Sequence, residues 1–102
     1  MAHHRGDEVE QIEVAAGDTF TLQSLGQAVV PPYLLIVPAI ELPPILAVVR
    51  EDDPEGEGVR RVTYTLRAVA PGQGTLRIGF RDLQSGEMVR DKSIAVQVTP
   101  PR

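Results

Sequence analysis

The fold is decided by residues 62–81, which read VTYTLRAVAPGQGTLRIGFR. Apolar and polar residues alternate in two runs here, and residues 70–74 break the alternation between them. A third run of the same kind covers residues 93–98, after the turn-forming residues 84–87. Alternation with a period of two is typical of strands that have one buried and one solvated face, as in an antiparallel sheet. These residues therefore predict three successive strands.

Four shorter strands are predicted towards the N terminus, over residues 9–14, 19–24, 33–37 and 45–50. The third of them is wholly apolar, which indicates burial on both faces or a central position in one sheet. Residues 38–44 contain three prolines, and they cannot form a central strand because proline lacks the N–H that a ladder needs. Residues 1–8 are polar and are predicted to be a disordered or tag-like terminus.

The number and spacing of these strands define the fold class. About seven short strands separated by turns predict an all-β, immunoglobulin-like β-sandwich, formed as a single domain by residues 9–99. With 9 glycines and 9 prolines in 102 residues, no window long enough for a helix is free of breakers or shows helical periodicity. The sequence has no cysteine, so it can form no disulfide.

No segment of the chain as given indicates a membrane span or a secretory leader. The longest apolar stretch, residues 28–40, is interrupted by three prolines, and nothing approaches the length of a membrane span. We therefore expect a soluble protein that does not bind membranes. It would be cytoplasmic by default, and periplasmic or secreted if a leader was removed.

Charge is distributed unevenly along the chain. Residues 1–58 hold 2 basic and 11 acidic side chains, whereas residues 59–102 hold 8 basic and 3 acidic ones. One interpretation is that the two halves pair in one compact domain, with arginines on the sheet surface facing acidic neighbours. The other is a bipolar surface that steers a charged partner. Nucleic acid is not expected to bind, because the net charge is −4 and the arginines lack interleaved aromatic residues.

The residue types that catalysis needs are missing. The only histidines are His3 and His4, in the polar terminus, so no Ser-His-acid triad can be placed and we expect no enzymatic activity. The acidic residues of segment 51–58 are oxygen donors that calcium prefers, but the segment lacks the EF-hand arrangement. A solvated acidic loop is the simpler interpretation, and we expect no metal site and no cofactor.

The segment 29–33 is apolar and stiffened by two prolines. It can pack under the end of the sandwich. Alternatively it can be an exposed contact patch, since a preorganised loop with an aromatic anchor binds at a low entropic cost.

The order of these features resembles the chagasin family, whose members are immunoglobulin-like inhibitors of papain-type cysteine peptidases. The likeness covers roughly residues 9–99. The segments that carry it are residues 17–22, Tyr33, Gly56 and Gly58, residues 62–68 with the turn 70–72, residues 76–81 and residues 94–98.

The resemblance implies a protein-binding inhibitor that inserts three adjacent loops, here residues 25–33, 51–58 and 81–87, into a peptidase cleft. The partner-binding residues that it implies are Pro31, Pro32, Tyr33, Gly56, Gly58 and Arg81. The loops diverge from the family motifs: the first lacks the usual threonine pair, the second is more acidic, and the third keeps only the arginine of Arg-Pro-Trp. The alternative is a structural or assembly module without inhibitory activity.

Overall fold

The structure is a computed structural model that describes residues 2–25, 36–52 and 62–101. Within these ranges the chain forms eight strands and no helix. The strands are β1 (Ala2–Arg5), β2 (Gln11–Ala15), β3 (Thr19–Gln23), β4 (Ile36–Glu41), β5 (Leu46–Asp52), β6 (Thr63–Ala68), β7 (Gly72–Asp82) and β8 (Met88–Thr99).

The strands form two four-stranded sheets. Sheet A has the order β1-β3-β6-β5, and sheet B has the order β2-β8-β7-β4. Neighbouring strands are antiparallel except for β1 with β3 and β2 with β8, which are parallel and lie at one edge of each sheet. The consecutive strands β7 and β8 form a hairpin and pair over most of their length. Because β8 also pairs with β2, it is an interior strand of sheet B.

The core lies between the sheets and is built by the inward residues of the alternating runs. Burying one such aliphatic or aromatic side chain contributes about 1.5–3 kcal/mol, so the two-residue period selects which face of each strand turns inward. The largest fully buried apolar and aromatic side chains are Phe20, Leu22, Tyr64 and Leu66 of sheet A and Leu76, Ile78 and Ile94 of sheet B.

The predicted all-β, immunoglobulin-like fold without a disulfide is confirmed, with eight strands where about seven were expected. The additional strand is β1, which stands where the sequence predicts a disordered terminus. Its backbone pairs with β3 from Ala2↔Phe20 to Arg5↔Gln23, and the ring of His4 packs edge-on against Phe20 with 5.9 Å between ring centroids. Pairing with a strand of the core therefore orders residues that are too polar to be recognised as a strand.

Of the two alternatives predicted for residues 33–37, burial on both faces or a central position in a sheet, the central position is wrong for residues 36–37, the part that the structure describes. Strand β4 begins at Ile36, continues through Pro38 and lies at the edge of sheet B, where β7 is its one partner among the described strands. Because Pro38 has no N–H to donate, this strand can be bonded fully on one side only.

At one end of the sandwich, which we call the turn end, short connections between strands are joined by backbone hydrogen bonds. Gly17 N–H donates to Ala68 O at 2.8 Å, and Ala16 N–H donates to Thr99 O at 2.9 Å. Val69 N–H donates to Ile45 O at 2.9 Å. These bonds tie the connections β2–β3, β4–β5 and β6–β7 to one another and to the end of β8. The opposite end, where β3, β5 and β7 finish, is called the loop end.

Candidate functional site

The strand ends at the loop end are the attachment points of all three predicted contact segments. In sheet A, the last residue of β3 is Gln23, which is in register with Thr63, and Thr63 is in register with Asp52 at the end of β5. In sheet B, Ile36 at the start of β4 is in register with Asp82 at the end of β7. The segments predicted to enter a cleft are therefore joined to one end of the molecule.

Of the six predicted partner-binding residues, the structure describes Arg81. The other five, Pro31, Pro32, Tyr33, Gly56 and Gly58, lie outside the described residues. The third predicted segment can therefore be built in atomic detail, and the first two are fixed only at the strand ends to which they connect.

The β7–β8 loop, residues 83–87, is held in one shape by hydrogen bonds among its residues and Asp82, the last residue of β7. Asp82 N–H donates to Glu87 O at 2.9 Å, and Gly86 N–H donates to Asp82 O at 2.7 Å. The Asp82 carboxylate accepts from Gln84 N–H at 2.8 Å, and the Ser85 hydroxyl accepts from Glu87 N–H at 3.3 Å. Gly86 has a φ of 75°, a left-handed conformation that glycine adopts without steric cost. The loop is thus preorganised before any partner arrives.

Arg81, the second-to-last residue of β7, supports this loop. Its Nη1 donates to Gly86 O at 2.7 Å, and its Nη2 lies 4.0 Å from a carboxylate oxygen of Glu41 on the neighbouring strand β4. The side chain is 39% exposed, so part of the guanidinium still faces solvent. The geometry therefore gives Arg81 a positioning role within its own loop; a direct contact with a partner stays a prediction.

Leu83 is the residue of this loop that the sequence analysis missed. It is 53% exposed and is the single leucine, valine, isoleucine or aromatic residue of residues 82–87. An apolar side chain on a rigid, otherwise polar loop is a candidate anchor, because little conformational entropy is lost when such a side chain enters a pocket. The sequence feature that could have identified this anchor is a single leucine between two polar residues, Asp82 and Gln84.

An ion-pair network lies on the outer face of sheet B beside the loop. Arg77 is 3.0 Å from Asp91 on β8 and 3.1 Å from Glu41 on β4, and Glu41 also faces Arg81. The hydrogen bond from Arg77 lowers the pKa of Asp91, and the hydrogen bond to Asp91 raises the pKa of Arg77. The network therefore joins three strands at the base of the loop.

This network and one further pair join the acidic part of the sequence to the basic part. Glu41 and Glu10 belong to the acidic part of the sequence, and they pair with Arg77 and with Lys92, at 3.3 Å, of the basic part. Pairing between the halves, with sheet-surface arginines facing acidic neighbours, is thus observed within the described ranges. Exposed pairs of this kind contribute little each.

A β-bulge sets the position of Asp91. Ile78 is in register with Lys92 and Phe80 with Val89, so that two residues of β8, Arg90 and Asp91, oppose Gly79 alone. Arg90 has a φ of 52°, which is uncommon for a residue with a side chain. Asp91 packs directly over Gly79, where a Cβ would lie 2.7 Å from the Asp91 Cα.

The described residues show no cluster of side chains that could hold a metal ion. In residues 2–25, 36–52 and 62–101, no three histidine, cysteine, aspartate or glutamate side chains are arranged so that they could bind one ion. Most of the acidic segment 51–58 lies outside these ranges, and Asp52 pairs with Arg50 at 3.0 Å. Across the same ranges, no helix has the length and apolar character to cross a membrane.

Comparison with solved structures places this architecture among known folds. The crystal structure of the cysteine protease inhibitor EhICP2 from Entamoeba histolytica matches with a TM-score of 0.65 and 17% sequence identity, over 96% of both chains. The solution structure of amebosin matches with a TM-score of 0.49 and 10% identity, over 97% of this chain and 96% of that one. No protein-family model and no curated protein matches the sequence.

The resemblance predicted from the sequence is confirmed at the level of the fold. The chain has a chagasin-like, immunoglobulin-like fold, and the match to EhICP2 extends over nearly all of it. At 17% identity this likeness defines the architecture.

Proposed function

We propose that this chain is a non-enzymatic protein-binding domain that inhibits a papain-type cysteine peptidase through its loop end. The observation that carries the proposal is the preorganised β7–β8 loop, which presents an exposed leucine at the end of the sandwich to which the other two predicted segments are joined. The shared fold with EhICP2, which is described as a cysteine protease inhibitor, supports the same function.

The proposed mechanism is steric and needs no covalent chemistry. A rigid loop that enters a substrate cleft excludes substrate, and its affinity benefits because the loop does not have to be ordered on binding. The residues proposed to contact the peptidase are Pro31, Pro32, Tyr33, Gly56, Gly58, Arg81 and Leu83. In this set Leu83 supplies an apolar anchor, and Arg81 holds the loop in shape through its bond to Gly86.

An inhibition assay with papain as the probe peptidase tests the proposal. Leu83→Ala should raise the inhibition constant by roughly 5- to 30-fold, as expected for an anchor that contributes about 1–2 kcal/mol. Val69→Ala is the matched control, because Val69 is also apolar and 51% exposed but lies at the turn end. Absence of inhibition by the unmodified protein at micromolar concentration would overturn the proposal. An equal effect of both substitutions would remove Leu83 from the contact surface.

A structural or assembly role is the second candidate. It is favoured by the edge strand β5, where Val48 is 46% and Val49 58% exposed. Exposed apolar residues on a strand edge are suited to pairing with another chain. A concentration-dependent increase in mass that Val49→Lys abolishes would support this role, and a monomer at all concentrations would count against self-assembly through β5.

A further inference from the structure

The β-bulge of β8 lies directly at the base of the β7–β8 loop. Arg90 and Asp91 together oppose Gly79, and two further register pairs follow before the loop begins at Leu83. A bulge bends its strand and increases the local twist of the pair. The geometry of the bulge is therefore passed on to the loop through a piece of hairpin that is only two residue pairs long.

The backbone of the bulge is strained at Arg90. Its φ of 52° lies in the left-handed region, which is uncommon for a residue with a Cβ. Glycine adopts this conformation without steric cost, but the position holds an arginine. A strained conformation of this kind persists when the surrounding structure fixes it, and such residues cluster at functional sites.

Two sets of contacts fix the bulge. On the outer face of sheet B, Arg77 Nε donates to Asp91 Oδ2 at 3.0 Å, and Arg77 Nη2 lies 3.0 Å from the same oxygen. The remaining nitrogen, Nη1, donates to Glu41 on β4 at 3.1 Å. Within the ladder, the Asp91 backbone packs so closely over Gly79 that an added Cβ would lie 2.7 Å from the Asp91 Cα. The bulge is thus held from both neighbouring strands, β7 and β4.

We propose that this bulge sets the direction in which the β7–β8 loop projects from sheet B, and that Arg90 and Asp91 are positioning residues for Leu83. Arg90 acts through its backbone and Asp91 through its bond to Arg77. The inference rests on the proposed inhibitory function and adds to it the residues that determine where the apolar anchor is presented. Neither residue needs to contact the peptidase, because a bulge re-aims the side chains that follow it.

Two variants separate the bulge from the Arg90 side chain. Deletion of Arg90 leaves Asp91 alone opposite Gly79, so the ladder becomes regular while the register pairs on both sides stay the same. Arg90→Gly keeps the bulge, because glycine adopts the left-handed conformation freely. Both variants lack the same side chain and the same charge, and they differ only in the bulge.

Two measurements are made on both proteins. Residual dipolar couplings of the backbone amides give the orientation of residues 83–87 relative to sheet B, and a kinetic assay gives the inhibition constant for papain. In the deletion variant we expect a changed loop orientation and an inhibition constant raised by roughly 5- to 30-fold, as for the loss of the Leu83 anchor itself. Arg90→Gly should leave both unchanged. An unchanged orientation in the deletion variant, or equal effects of the two variants, would overturn the inference.

A second pair of variants covers the case in which the deletion variant does not fold. Arg77→Gln releases Asp91, and Arg67→Gln is the control with the same change in charge, since Arg67 is an exposed arginine of sheet A in register with Thr19. Arg77→Gln alone should alter the dipolar couplings of the loop and raise the inhibition constant by about threefold. Equal effects of these two substitutions would overturn the inference. If the unmodified protein does not inhibit papain, the proposed function fails, and the dipolar couplings still decide whether the bulge directs the loop.

Discussion

Because Asp91 packs closely over Gly79, the loss of stability caused by one added methyl group at position 79 can be predicted. In Gly79→Ala the new Cβ would lie 2.7 Å from the Asp91 Cα, 3.0 Å from the Asp91 Cβ and 3.0 Å from Val89 O. Ordinary contact begins at 3.4 Å, so strand β8 must move by about 0.7 Å, and overpacking of this kind costs about 1–3 kcal/mol. Gly79 does not adopt a positive φ, so alanine gains up to about 1 kcal/mol from the smaller entropy of its unfolded chain.

The net loss expected for Gly79→Ala is therefore roughly 1–2 kcal/mol, which for a domain of this size lowers Tm by about 5–15 °C. Urea unfolding followed by circular dichroism measures the loss, and an unchanged m-value shows that only stability has altered. Gly79→Ser adds the same Cβ, so its free energy of unfolding should fall by at least as much. A Gly79→Ala protein within about 0.5 kcal/mol of the unmodified one would refute the reasoning, because ordinary surface substitutions fall in that range.

Two further substitutions test the ion pair between Arg77 and Asp91 and the hydrogen bond between Ser24 and Val62 at the loop end. Asp91→Asn should remove stability that is present above the ordinary aspartate pKa of 3.8 and is lost as the pH falls through the lowered pKa of the folded state. The difference between the two proteins in urea titrations should shrink below pH 3.8, and a constant difference would contradict the pairing with Arg77. Ser24→Ala should cost about 1–3 kcal/mol, because the buried Ser24 hydroxyl accepts from Val62 N–H at 2.8 Å. Ser93→Ala, on the exposed face of β8, is the control, and equal losses would show that the bond to Val62 is unimportant.

The strands that carry their own pattern could be predicted from the sequence. Strands β6, β7 and β8 alternate with a period of two, and the inward residues Tyr64, Leu66, Leu76, Ile78 and Ile94 are all buried. For these strands the alternating pattern alone identifies which residues are buried, because the apolar face of each strand packs into the core.

Features that depend on a distant partner could not be predicted in this way. Strand β1 contains two histidines and an arginine and becomes a strand only because the edge of β3 is available to it. The edge position of β4 and the bulge opposite Gly79 likewise follow from which strands become neighbours. At the candidate site, the position of the third loop was predictable from its turn residues, but the exposure of Leu83 required the packing around it.

The interior position of β8 has a consequence for how the protein folds. Residues 11–15 of β2 form their ladder with residues 95–99 of β8, and β7 pairs along the other side of the same strand. During synthesis, sheet B therefore cannot be completed until residue 99 has emerged from the ribosome. Until then, the apolar faces of the earlier strands stay exposed to solvent. Such long-range pairing is typical of domains that fold in milliseconds to seconds. Loss of the last strand should then leave a chain that aggregates before it folds, whereas a change confined to the β7–β8 loop leaves the folding order untouched.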